Sequence, residues 1–378
     1  MAEATLAIDY DQIDSATQIR LLNFQPGTGD VELVCTLSSV DREGAKYHAL
    51  SYEWGKASKD DPVITVNDRK VQIRRNLYDA LRSIRNSMGN QRLWIDAICI
   101  NQSNVEEKST QVAIMGNTFA RATNVISWLG PANDDSDLAM DWMSDPESLL
   151  VSLPSFSKDS CEGKALFALC HRTYWRRIWI IQELHLAQSY VVWCGAKSIP
   201  NHNFEDSLAH LNVPESPFGG DKISEKNPAN QHTVARLFRS DPALNNLRRW
   251  LWVSIESGFE CSQKQDLIYA LLGVSSDYEI MKWTFKVDYS KSAREVFVQL
   301  LWQRNISTWE NPKEDETRWL DLAKKMNLSI DQDLEREISS RLSRHEDKTF
   351  KFLIDPPWQS AETGSQHRDG EDGLDGVD

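Results

Sequence analysis

The chain has no long apolar run. Nowhere in its 378 residues does a stretch approach the roughly 18 consecutive apolar residues that cross a membrane as a helix. It opens MAEATLAIDYDQ, without the basic start and apolar segment of a secretory leader. The expectation is a cytoplasmic protein that neither spans a membrane nor is exported. Cysteine is scarce, and Cys35, Cys99, Cys161, Cys170, Cys194 and Cys261 lack the close pairing of a zinc site or disulfide framework. Reduced, mostly buried thiols are expected. Basic charge is in deficit: 42 Lys and Arg face 56 Asp and Glu, a net charge of -14, which argues against a nucleic-acid partner. The clusters Arg74-Arg75 and Arg172, Arg176 and Arg177 are too short to change that. There is no GxGxxG, and Gly55-Lys56-Ala57-Ser58 lacks the upstream glycine of a phosphate loop. The eight His are dispersed, with no HExxH and no nucleophile elbow, so neither a metal site, a hydrolase triad nor a bound cofactor is expected. No internal repeat points to a solenoid or propeller.

What is present suffices for a substantial core. With 40% hydrophobic residues and 14 Trp the chain should fold, and its length favours one large α/β domain plus a second module. From residue 18 to 130, short apolar runs alternate with amphipathic stretches, as they do where helices flank a parallel sheet. Strands are predicted at 31–37, 48–52, 63–66, 93–95, 125–128 and 190–194. Leu77, Leu81, Ile84 and Met88 mark one face of a helix beginning near Asn76. Val112, Met115 and Phe119 mark another, capped by Ser103 or Asn104 with Glu106 and Glu107 in its first turn. Residues 213–230, with three prolines and paired glycines, read as a loop. Helices are predicted again at 234–254, 264–272 and 292–304, the last with Val296, Leu300 and Gln303 on one face.

Three blocks carry the chain's character: YHALSYEWG (47–55), LWIDAICINQ (93–102) and YWRRIWIIQEL (174–184). With RNLYDALRSIR (75–85) and VISWLG (125–130), they resemble the fungal heterokaryon-incompatibility (HET) domain in identity, order and spacing, over roughly residues 47–187. CSQKQDLIYALLGV (261–274) and VDYSKSAREVF (287–297) resemble segments that commonly follow that domain. The resemblance implies a TIR- or flavodoxin-like parallel sheet flanked by helices, followed by a mainly helical C-terminal region. The chain then divides into an extension at 1–46 that includes a first strand, a HET domain at 47–200, a loop or linker at 201–232, helices at 233–355, and an acidic, Gly-rich disordered tail at 356–378. It also implies a role in nonself recognition and programmed cell death, with a protein partner and self-association through the HET domain.

HET domains look like distant relatives of TIR domains, some of which cleave NAD+ at the nicotinamide–ribose bond. The TIR catalytic helix carries a Trp followed four residues later by Glu. Trp179 and Glu183 have that spacing, Trp175 lies four residues earlier, and on one helix all three would share a face. The resemblance then makes Glu183 the catalytic residue, binding the ribose hydroxyls and stabilising an oxocarbenium-like transition state, with NAD+ as substrate and no metal. Ser51 and Tyr52 resemble the Ser-Tyr that closes the first TIR strand. Because ligands of doubly wound sheets sit beyond the carboxyl ends of the strands, Ser51, Tyr52, Glu53, Trp54, Asp96 and Asn101 join Trp179 as candidate substrate-binding residues. A plainer reading fits the same residues. Glu183 pairs with Arg176 or another basic group, Trp175 and Trp179 fill the core, Asp96 braces its loop, Ser51 bonds backbone, and Trp54-Gly55 shapes a turn. The spacing leaves both open.

Overall fold

Runs of β-branched and aromatic residues build the centre of the protein. The computed structural model describes residues 8–27, 29, 31–145, 147, 151, 160–211, 227–237, 239–303 and 312–346. Among them is one nine-stranded sheet: β1 (Gln18–Phe24), β2 (Val34–Asp41), β3 (His48–Tyr52), β4 (Val63–Val66), β5 (Arg69–Gln72), β6 (Arg92–Trp94), β7 (Asn124–Trp128), β8 (Tyr190–Cys194) and β9 (Lys197–Pro200). Their order is β5-β4-β2-β1-β6-β3-β7-β8-β9. The α/β class holds, with a refinement: β6, β3, β7 and β8 run parallel at the centre, while β1, β5 and β9 pair antiparallel, so the sheet is mixed. The central strands HALSY and NVISW are buried on both faces, as expected of parallel strands covered by helices. Strand order reverses about β3, the place where such sheets open a crevice at their carboxyl ends.

The strand predicted at 31–37 begins later, at Val34, and β1, β5 and β9 were not visible in the pattern. In β1 the apolar run is interrupted by Arg20, which is nevertheless 2% exposed. The predicted helix face of Leu77, Leu81 and Ile84 is buried in the Arg75–Met88 helix, with Met88 packed beside it. Asn104 caps the next helix by accepting from the Glu106 and Glu107 N–H groups. That helix is two: Val105–Ala113 and Met115–Arg121 meet at a break by Ile114.

Corrections also apply further on. Residues 201–232 are not loop throughout, since Asn201–Leu211 and Pro228–Leu237 are helices; residues 212–226 lie outside the described residues, as does the acidic tail. The helix predicted at 234–254 breaks because Pro242 cannot continue a helix, and Asn246 caps a new one, Leu247–Glu256. Ala293–Leu301 carries a Ser292–Glu295 capping box, and Val296, Leu300 and Gln303 are buried as the periodicity required. Helices Asp266–Leu272, Pro312–Lys325 and Gln332–Glu346 complete the C-terminal half. All six cysteines are unpaired, four of them buried. Among the described residues no helix is long and apolar enough to cross a membrane.

The buried side chains form two clusters. One fills both faces of the sheet; the other gathers the C-terminal helices and takes in Val112, Ile178 and Ile181 from the first half. Trp179 packs against both.

Candidate functional site

The third sequence block is not one helix. Its β-branched and aromatic residues are weak helix formers, and a tertiary contact decides its course. Thr173–Arg176 forms a 3-10 turn, Arg177 is extended (φ -68°, ψ 128°), and an α-helix resumes only over Ile180–His185. The break is held by a short backbone pairing with the C-terminal half: Ile178 N–H donates to Glu260 C=O (3.1 Å) and Glu260 N–H to Arg176 C=O (2.6 Å). Trp175, Trp179 and Glu183 therefore do not share a face. Trp175 is buried, stacked on Phe204 at 5.2 Å between ring centroids, with its indole donating to Leu169 C=O. Trp179, expected beside a substrate, donates its indole N–H to Asp266 Oδ2 (3.1 Å).

Glu183 is 3% exposed and does have a basic partner, but it is Arg177 and not Arg176. The guanidinium grips the carboxylate as a fork, Nη2 to Oε1 at 2.9 Å and Nη1 to Oε2 at 3.1 Å. A continuous helix would have brought Arg176, two turns back, beneath Glu183; the extended residue 177 substitutes its neighbour. Ser51 donates its hydroxyl proton to Glu183 Oε2. Ser51 and Ser127 are register partners on β3 and β7, and the Tyr174 hydroxyl lies 2.6 Å from the first and 2.8 Å from the second. Since the single Ser51 proton points at the carboxylate, Tyr174 must donate to Ser51 and Ser127 to Tyr174. The result is a buried line of hydroxyls, Ser127 to Tyr174 to Ser51, polarised towards Glu183. Burial, and then the Glu183 charge, hold the Tyr174 phenol protonated above its ordinary range, as a donor must be. Burial works against the Arg177 charge, but Glu183 outweighs it and the guanidinium is held more firmly protonated.

Asp96, just beyond β6, completes the cluster. Burial and the nearby Glu183 charge raise it to about 6, against the pull of Arg177 and of its own donors. Those donors are Trp54 Nε1, at 3.0 and 3.2 Å from the two oxygens, and the Ala97 N–H at 2.7 Å. Trp54 is 39% exposed and forms the outer rim. Among the described residues the buried Tyr52 hydroxyl has no hydrogen-bond partner, and burial, then Asp96, hold its phenol well above the ordinary range. Replacing Trp54 by Phe deletes a donor that favours the charged form, so Asp96 should titrate higher still; carbon-13 carboxyl NMR would read this, and an unchanged or lower midpoint would sink the Trp54–Asp96 bond.

Of the candidates named from sequence, the structure unites Ser51, Tyr52, Trp54, Asp96 and Glu183. Glu53 sits at the margin, accepting from the Thr173 hydroxyl at 2.5 Å. Asn101 shapes its own turn, its Oδ1 accepting from the Ser103 N–H and hydroxyl, with no bond to the cluster. Sequence reasoning missed Arg177, Tyr174 and Ser127. All three lie inside the recognised blocks, but only strand register and the break at 177 reveal them. The arrangement is a buried carboxylate paired with one cation, a second carboxylate near it, and a spare phenol donor: a polar centre able to bind hydroxyls or stabilise positive charge.

Residues 47–183 match the family model described as Heterokaryon incompatibility protein (HET). The chain is 27% identical over 364 residues to heterokaryon incompatibility protein 6, OR allele, of Neurospora crassa, an alignment covering 77% of this chain and 52% of that protein. It thus spans about half the length of the curated relative it matches. No solved structure matches it.

Proposed function

The chain carries a HET domain over residues 47–183, and from that premise we propose that it acts in fungal heterokaryon incompatibility. In this reading it is a cytoplasmic allorecognition protein whose HET domain meets a protein partner, self-associates and commits the cell to programmed death. Its chemical output is TIR-like cleavage of NAD+. Water adds its oxygen to the ribose anomeric carbon, the carbon–nitrogen bond breaks, nicotinamide leaves with the bonding pair, and one proton passes to solvent. Glu183 stabilises the positive charge that develops on the ribose, and the Tyr52 hydroxyl, with Asp96 near it, meets ribose hydroxyls.

The observation that carries this reading is the meeting of Glu183 and Asp96 at the carboxyl ends of parallel strands. Two like charges brought together there weaken folding, and such clusters occur where chemistry uses them. With Arg177 on Glu183 the carboxylate is closed, so substrate or assembly must first displace the guanidinium. An effector that is silent until triggered needs such a resting state. Concentrated purified protein should consume NAD+ and release nicotinamide, and Glu183→Gln should abolish both. If Glu183→Gln kills cells as well as the parent, catalysis at Glu183 is not the mechanism.

One observation favours a second reading, a non-catalytic module that passes the signal by assembly alone: Glu183 already accepts from Ser51 and from both Arg177 nitrogens. Under it, surface substitutions that block association remove killing while cellular NAD+ never falls.

A further inference from the structure

The family match ends at Glu183, yet the groups that hold the start of the Glu183 segment lie outside it, in residues 260–289. Arg177 is extended because its neighbours pair with Glu260. Ile178 and Ile181 pack into the C-terminal cluster rather than against the sheet. Gly273 lets the Asp266–Leu272 helix approach so closely that a Cβ there would overlap the Gln182 amide. Asp266, 7% exposed, has both oxygens engaged: Oδ2 accepts from Trp179, and Oδ1 from the Tyr289 hydroxyl at 2.8 Å. Tyr289 is tied back in turn, its N–H donating to the Ser109 hydroxyl at 3.2 Å and its ring lying 4.1 Å from Lys108 Nζ.

Ile180–His185 is a six-residue helix with no side-chain cap, far below the length at which a helix holds itself. Neighbours hold both of its ends: Arg236 donates to the Leu184 carbonyl near its close, and Asp266 grips Trp179 just before its start. Trp179 is the N-cap residue, and its carbonyl accepts the Glu183 N–H at 3.0 Å, so Glu183 moves when Trp179 moves. The two members of the Glu183–Arg177 pair are thus held separately from the C-terminal half: Arg177 through the Glu260 backbone, Glu183 through the Trp179 indole on Asp266. Ser51 and Ser127, by contrast, stand on the sheet.

We propose that Asp266 is a positioning residue for the Glu183–Arg177 pair, and that the C-terminal helices, by holding or releasing Trp179, set whether Glu183 stays closed on Arg177. The functional consequence rests on Glu183 being the working group; the mechanical claim does not. A partner that displaces residues 260–289 opens the site without touching it.

Hydrogen exchange of the full chain tests this. Leu at 266 offers no acceptor to Trp179 or to Tyr289, whereas Trp179→Phe removes only the donor. Asp266→Leu and Trp179→Phe should each speed exchange of amides 180–186 about ten-fold, the double variant no more than the larger single, with β7 and β8 unchanged. Unchanged exchange at 180–186, an equal rise across β7 and β8, or multiplicative single effects would each overturn it. Cell killing and nicotinamide release are then compared at equal expression. A change in both with Asp266→Leu supports control of Glu183 from the C-terminal half. Faster local exchange with killing unaltered keeps Asp266 as the positioning residue but removes Glu183 as the working group.

Discussion

Arg177→Ala is expected to destabilise the protein by about 3–5 kcal/mol, the usual consequence of removing one partner from a buried ion pair. Glu183 would keep only the Ser51 hydroxyl, at 3% exposure and with Asp96 nearby. The loss arises mainly from the stranded carboxylate, so neutralising it as well should recover most of it: Arg177→Met combined with Glu183→Leu should unfold closer to the parent in urea than Arg177→Ala does. Arg177→Lys keeps the charge but not the two-pronged grip and should fall between. A loss below about 1 kcal/mol for Arg177→Ala, the range of exposed pairs, would mean that Glu183 is not held as described.

Arg20→Ala should weaken the fold by a similar amount, about 3–5 kcal/mol, although Arg20 lies outside the HET match. Its guanidinium meets both oxygens of Glu107, at 2.6 and 3.0 Å, and donates to the carbonyls of Cys99 (3.1 Å) and Asp11 (2.6 Å). Glu107 in turn accepts the Asn101 N–H at 2.7 Å, so the pair fastens β1 to the turn that follows Asp96. In a denaturation cycle with Glu107→Ala, the double variant should lose less than the two singles together; simple additivity would refute a coupled pair.

These two arginines also mark what the sequence conceals. β3, β7 and β8 are legible because their β-branched and aromatic runs are continuous, and the Arg75–Met88 helix because its apolar spacing is regular. β1 is hidden because Arg20 looks like a surface residue until it meets Glu107, 87 positions away. Ser51, Asp96 and Glu183 could be picked out from their motifs, since short blocks preserve local chemistry. Arg177 could not, because helical periodicity points to Arg176 and the break that overrides it depends on Glu260. Trp179 has the expected spacing to Glu183 and the wrong surroundings, because spacing does not say which neighbour faces an indole.

The position of the sheet's central strands bears on how such a domain can be inherited. Residues 47–183 contain β3 and β6–β7 but neither β1, which flanks β6, nor β8, which flanks β7. β4 would lose its partner β2 as well, so a fragment cut at those limits would carry three raw strand edges, at β4, β6 and β7, with unpaired backbone groups that invite aggregation. A fragment is therefore expected to fold only when it also carries β1, β2 and β8, so the folding unit is longer than the sequence signature.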